Sequence, residues 1–134
     1  QMIRQSFIAH TQLESITTPY INGASPALLK EFVKDFHHGI TVTCPGFYGP
    51  QGRVLRLPLA QPMLIDRLPT FTFGSHRISN FEMETSAIYG LSKLLGHKAI
   101  TVNSVIANRR RGEFSADHQA SERNMIEWVL DRII

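Results

Sequence analysis

Apolar residues recur at two periods along the chain, and the elements change where the period changes. After a polar lead-in, Ser25-Pro26 has the makings of a helix start, with serine as N-cap and proline at the first helical position. Leu28, Leu29, Phe32, Val33 and Phe36 then repeat at helical spacing up to His37-His38-Gly39, where the glycine is expected to take a left-handed cap. The β-rich run Ile40 to Cys44 stops at Pro45-Gly46, and Gly46 to Gly52 is a loop or turn by composition. Val54 to Leu64 is apolar but broken by Pro58 and Pro62, which predicts irregular backbone. Phe71 to Phe73 and Arg77 to Phe81 read as short strands. From Glu84 the period is helical again, with Ala87, Ile88, Leu91, Leu94 and Leu95 on one face and Gly96 as the stop. Lys98 to Ala107 reads as a buried strand. Asp117 to Ile134 reads as a helix burying Ile126, Val129, Leu130 and Ile133, with Met125 and Trp128 at its flank.

This order is an α/β pattern with a mostly parallel or mixed sheet. Ligands in such sheets bind at the carboxyl ends of strands. That rule singles out the loop after Cys44, the segment after Phe81 and the loop after Ala107.

Composition narrows the class without naming a chemistry. A chain of 134 residues is enough for one domain. With 43% hydrophobic and 19% charged residues and eight Phe, it is expected to be globular rather than disordered. The lone Cys44 offers no internal disulfide, no apolar run reaches membrane-spanning length, and the first residues lack the pattern of a signal peptide, so a reducing cytoplasm is expected. Fourteen basic against eleven acidic residues is a mild excess whose one dense cluster is Arg109-Arg110-Arg111. The sequence has no second basic cluster to support a nucleic-acid surface. Six histidines show no zinc spacing, and Cys44 has no nucleophile motif around it.

The first junction carries Phe47, Gln51 and Arg53. A glutamine amide offers an acceptor and donors, and an arginine two residues on offers a rigid fork of donors; together they suit a planar heterocycle with alternating carbonyl and N–H groups. A solvated arginine and a core phenylalanine would look the same. The second junction is Glu82-Met83-Glu84, two carboxylates that cannot share a helix face and should play different parts. A capping role for Glu84 and a carboxylate for a vicinal diol are both open at this point. The third, Ile106-Ala107-Asn108-Arg109, runs an apolar strand into a basic loop.

In this order and at these spacings the three junctions resemble the nucleoside phosphorylase family, and within it the uridine phosphorylases, over roughly Ser25 to the end. Phe47-Tyr48-Gly49-Pro50-Gln51-Gly52-Arg53 is similar to that branch's uracil segment, Glu82-Met83-Glu84 to its ribose motif, and Ile106 to Arg109 to its strand ending in Asn-Arg. Purine-specific members carry an aspartate where Asn108-Arg109 stands.

The resemblance implies a three-layer α/β fold with a central mixed sheet flanked by helices, of which residues 1–134 would be the C-terminal portion of a single domain. It implies phosphate-dependent cleavage of uridine to uracil and ribose 1-phosphate in pyrimidine salvage, with phosphate as co-substrate and neither metal nor organic cofactor. Arg53 and Arg109 would stabilise charge on the departing uracil, Gln51 would orient it, and Glu84 would hold the ribose hydroxyls. Phe47, Glu82, Met83, Ile106 and Phe114 would complete the substrate contacts, and Arg110 to Asp117 would be a mobile flap over the base. The family's N-terminal half brings a Gly-rich phosphate loop that this sequence lacks, and the Gln1-Met2 start suits a fragment. The expected assembly is dimers forming a hexamer. A non-catalytic nucleoside-binding module, or a purine-specific phosphorylase or nucleosidase, is the alternative.

Overall fold

In the computed structural model, which describes residues 1–32, 34 and 36–133, the alternating run Ile40–Thr43 forms a strand, β1. It lies parallel to β3 (His76–Glu82), with Thr41 opposite Asn80, Val42 opposite Phe81 and Thr43 opposite Glu82. A short strand β2 (Thr72–Phe73) runs antiparallel along β3, giving a mixed sheet of order β1-β3-β2. Because side chains alternate between faces, Ile40 and Val42 turn toward the core while Thr41 and Thr43 turn away from it. Ile78 and Phe81 share the core although three residues apart, because the register shifts between Ile40 and Thr41.

The core is built on the sheet's apolar face. Phe7, Leu13, Leu64, Leu68 and Phe71 are buried together, with Ile3, Ile65 and Phe73 packed against them. Phe7 belongs to a helix, α1 (Met2–Thr11), and meets Phe71 edge to face at 5.2 Å. The lead-in is therefore not a bare polar tail: Ile3 and Phe7, four apart, supply a narrow apolar stripe that suffices once a partner exists. Residues 54–63 are irregular as expected, but Leu64 already opens α3 (Leu64–Arg67), which passes into a 3-10 turn at Leu68–Thr70.

Two helices flank the sheet in sequence. The second, α2 (Pro26–Phe32), starts where Ser25-Pro26 predicts but ends well before Gly39. Gly39 is not left-handed; a Cβ there would lie 2.6 Å from the Ser79 side chain and 2.9 Å from the Arg77 carbonyl oxygen, so close strand approach is what requires glycine. The expected helical position Val33 and the terminal Ile134 lie outside the described residues. The next helix after α3 is α4 (Thr85–Leu94), followed by Gly96 at φ 74°. Its expected core face is open: Ile88, Leu91, Leu94 and Leu95 are exposed, Leu94 by 83%.

Residues Gln1–Ile100 form one compact unit and Thr101–Ile134 another. The second holds β4 (Ala107–Asn108), β5 (Glu113–Phe114) and α5 (His118–Ile133). The long strand expected over Lys98 to Ala107 is reduced to its last residue, because a strand needs a hydrogen-bonded neighbour and only β5 supplies one to β4. On α5, Ile126, Leu130 and Ile133 are exposed rather than buried, while Val129 is half-buried.

Candidate functional site

The backbone after β1 is folded by short-range bonds. Gln51 and Arg53 both donate their amides to the Tyr48 carbonyl, at 3.1 and 2.9 Å, around a 3-10 turn at Gly49–Gln51. The turn closes on Gly52, at φ 71° and with Ile65 pressed against the position a Cβ would occupy, so no side chain fits there. This tight loop brings Phe47, Gln51 and Arg53 together. The Arg53 guanidinium donates to the Phe47 carbonyl and, at 2.6 Å, to Gln51 Oε1, and it lies 3.7 Å from the centroid of the Phe47 ring. Since arginine only donates, the oxygen of the Gln51 amide faces it, which sets the amide's orientation. Gln51 is 6% exposed, so this orientation is held inside the protein, whereas Phe47 and Tyr48 are exposed.

The carboxyl end of β3 is the neighbouring junction, joined to the first by a bond from the Cys44 amide to the Glu82 carbonyl, 2.9 Å. Here the two carboxylates part company. Glu82 Oε2 accepts from the amides of Glu84 and Thr85, each at 2.7 Å, and so satisfies two of the open donors at the start of α4. Its other oxygen, Oε1, accepts from the Thr43 hydroxyl, whose own oxygen accepts the Ser86 amide at 3.0 Å. Burial pushes the Glu82 carboxyl up, but the bonds from Thr43 and from the amides of Glu84 and Thr85 outweigh it and hold the group below its ordinary range. The Thr85 hydroxyl, in a residue only 3% exposed, adds least to this lowering and lies outside hydrogen-bond geometry.

Glu84 occupies the N-cap position of α4 without a capping bond from its side chain and is exposed, with half-buried Met83 beside it. The capping role open to Glu84 from sequence is taken by Glu82, two residues earlier. Cys44, between the two junctions, has its thiol pushed up to about 11, first by burial and then by the Glu82 charge.

In the second unit, Ile106, Arg109 and Phe114 gather around one hairpin. Ala107 pairs with Phe114 and Asn108 with Glu113, and the Ser115 amide donates to the Ile106 carbonyl at 2.8 Å. The turn is held by Arg111, whose amide reaches Asn108 and whose guanidinium pairs with Glu113 at 3.2 Å, an exposed ion pair of little energetic weight. Phe114 is 79% exposed. Sequence reasoning missed Thr43 and Ser86, because only the strand register puts Thr43 opposite Glu82.

Among the described residues no helix is long and apolar enough to cross a membrane. Residues 10–134 match the Phosphorylase superfamily. The chain is 32% identical over 120 residues to a uridine phosphorylase of Thermococcus kodakarensis, an alignment covering 85% of this chain and 38% of that protein. It thus spans well under half the length of that relative. No solved structure matches it. A match over nearly the whole chain, carried by a mixed α/β fold with its polar clusters at the ends of parallel strands, makes this chain a member of the phosphorylase superfamily.

Proposed function

We propose that this chain is the C-terminal portion of a single nucleoside phosphorylase domain acting on uridine, cleaving it with phosphate to uracil and ribose 1-phosphate. The observation that carries this reading is the cluster of Phe47, Gln51 and Arg53 at the carboxyl end of β1. As the glycosidic bond lengthens, negative charge grows on the leaving base and positive charge on the sugar. A preorganised arginine opposing the first is worth most in the transition state. Arg53 supplies that charge and Gln51, held by Arg53, orients the ring; Glu84, exposed beside Met83, accepts hydrogen bonds from the ribose hydroxyls. Ile106, Arg109 and Phe114 are assigned to the base, and Arg110 to Asp117 to the flap, on the sequence resemblance. The site needs phosphate as co-substrate and neither metal nor organic cofactor, and its setting is cytoplasmic pyrimidine salvage in a hexamer built from dimers.

The direct test is release of uracil from uridine by the full natural chain, with and without phosphate. Uracil and ribose 1-phosphate in equal amounts, formed only with phosphate, support the proposal. Binding without cleavage would favour the nucleoside-binding alternative, and preferential cleavage of inosine would move specificity to purines. Glu84→Gln should then impair uridine more than 2′-deoxyuridine, which has already lost one hydroxyl partner.

A further inference from the structure

We propose that Thr43 is a positioning residue for this site: its hydroxyl locks Glu82 onto the first turn of α4 and thereby sets where Glu84 presents its carboxylate. The inference deepens the proposed function, because it rests on Glu84 being the group that meets the sugar hydroxyls.

The geometry makes Thr43 a link from the end of β1 to both the end of β3 and the first turn of α4. It is the last residue of β1, and the parallel register sets it opposite Glu82, the last residue of β3. From there its hydroxyl donates to Glu82 Oε1 and accepts the Ser86 amide at 3.0 Å. With Oε2 taken by the amides of Glu84 and Thr85, both carboxylate oxygens of Glu82 are engaged inside the protein. A carboxylate so occupied is poorly placed to hold a diol; Glu82 acts through geometry. Its bond to the Glu84 amide instead fixes that residue's backbone, at φ −126° and ψ −31°, outside the helix. The Glu84 side chain, which makes no capping bond, is thus carried on a braced backbone and directed by it. The buried Thr85 hydroxyl makes no bond that could substitute for Thr43.

Three variants of the full natural chain test this: Thr43→Val, which keeps the shape and removes the hydroxyl, Thr43→Ser, which restores it, and Glu82→Gln, which breaks the same lock from its other side. Hydrogen exchange at the amides of residues 84–86 should accelerate about tenfold or more in Thr43→Val and Glu82→Gln, as expected for losing hydrogen bonds to a charged group, and stay near the parent rate in Thr43→Ser. The α1 amides, distant in sequence and in the core, should not change. In parallel, kcat/KM for uridine should fall about tenfold or more in Thr43→Val, with a smaller loss for 2′-deoxyuridine and recovery in Thr43→Ser. Parent-like exchange in Glu82→Gln, failure of serine to restore it, or equal losses for the two nucleosides would overturn the proposal, and the first two remain readable if Thr43→Val does not fold. A parent protein that releases no uracil would defeat the proposed function, leaving the exchange rates to decide the lock by themselves.

Discussion

The Arg53 guanidinium donates to the Phe47 carbonyl and to Gln51 Oε1 while covering the Phe47 ring, so one main-chain oxygen and two side-chain groups of a single turn hold it in one orientation. Preorganisation of this kind matters more to a transition state than to folding, since the loop is half-exposed and contributes little to the core. Arg53→Ala is therefore expected to cost on the order of 3 kcal/mol in transition-state stabilisation, about a hundredfold or more in turnover, with a small change in melting temperature. Turnover equal to the parent's would remove Arg53 from the site. Cys44 makes a prediction at the opposite end of the pH scale. Burial, and then the Glu82 charge, push its thiol from the ordinary 9.0 up to about 11, so the stability that comes from keeping it neutral is complete below 9.0 and falls away as pH rises toward 11. Denaturant titrations across that range should show the parent losing stability more steeply than Cys44→Ala; parallel slopes would contradict the buried, neutral thiol. Glu82 has the opposite sign: held below its ordinary 4.5, it stabilises above that value and ceases to as pH falls through its lowered one.

Among the elements, α1 depends most on its surroundings. Ten residues with a narrow apolar stripe would scarcely be helical alone in water. Its C-terminal carbonyls are taken up by others: the Thr11 carbonyl accepts from Gln61 and Arg67, both at 3.2 Å, and His10 bonds the Arg67 carbonyl at 2.9 Å. All of these partners lie in or beside the segment that ends in Phe71, whose ring is 2% exposed and is flanked by Phe7 and His10. Phe71→Ala should cost about 3–5 kcal/mol, the range for emptying a buried aromatic site. Exchange at the α1 amides should rise before that of β3, as measured by hydrogen-exchange mass spectrometry. Uniform acceleration across the first unit would show instead that α1 and the sheet open as one.

At the scale of the whole molecule, the chain carries more exposed apolar surface than its small core accounts for. Ile88, Leu91, Leu94 and Leu95 form an open stripe on α4, and among the described residues β1 and β2 are both edge strands. Stripes and edges of this kind drive association. The 134-residue polypeptide alone is accordingly expected to sediment as species larger than 15.1 kDa, and Leu91→Glu to increase the monomer fraction. A parent that sediments only at 15.1 kDa would contradict this.

Local signals in the sequence determined β1, the short strands β2 and β3, the starts of α2 and α4 and the turn after Cys44, because each depends on neighbours a few residues away. Phe47, Gln51 and Arg53 are legible for that reason: one turn brings them together. The α1 helix, the reduced strand at Ala107 and the open face of α4 are different, since each depends on whether a distant partner is present to bury a stripe or complete a ladder. The same holds for the carboxylates. Periodicity already implied that Glu82 and Glu84 differ, but which one caps the helix and which stays outside was decided by the β1–β3 register, which alone puts the Thr43 hydroxyl against Glu82.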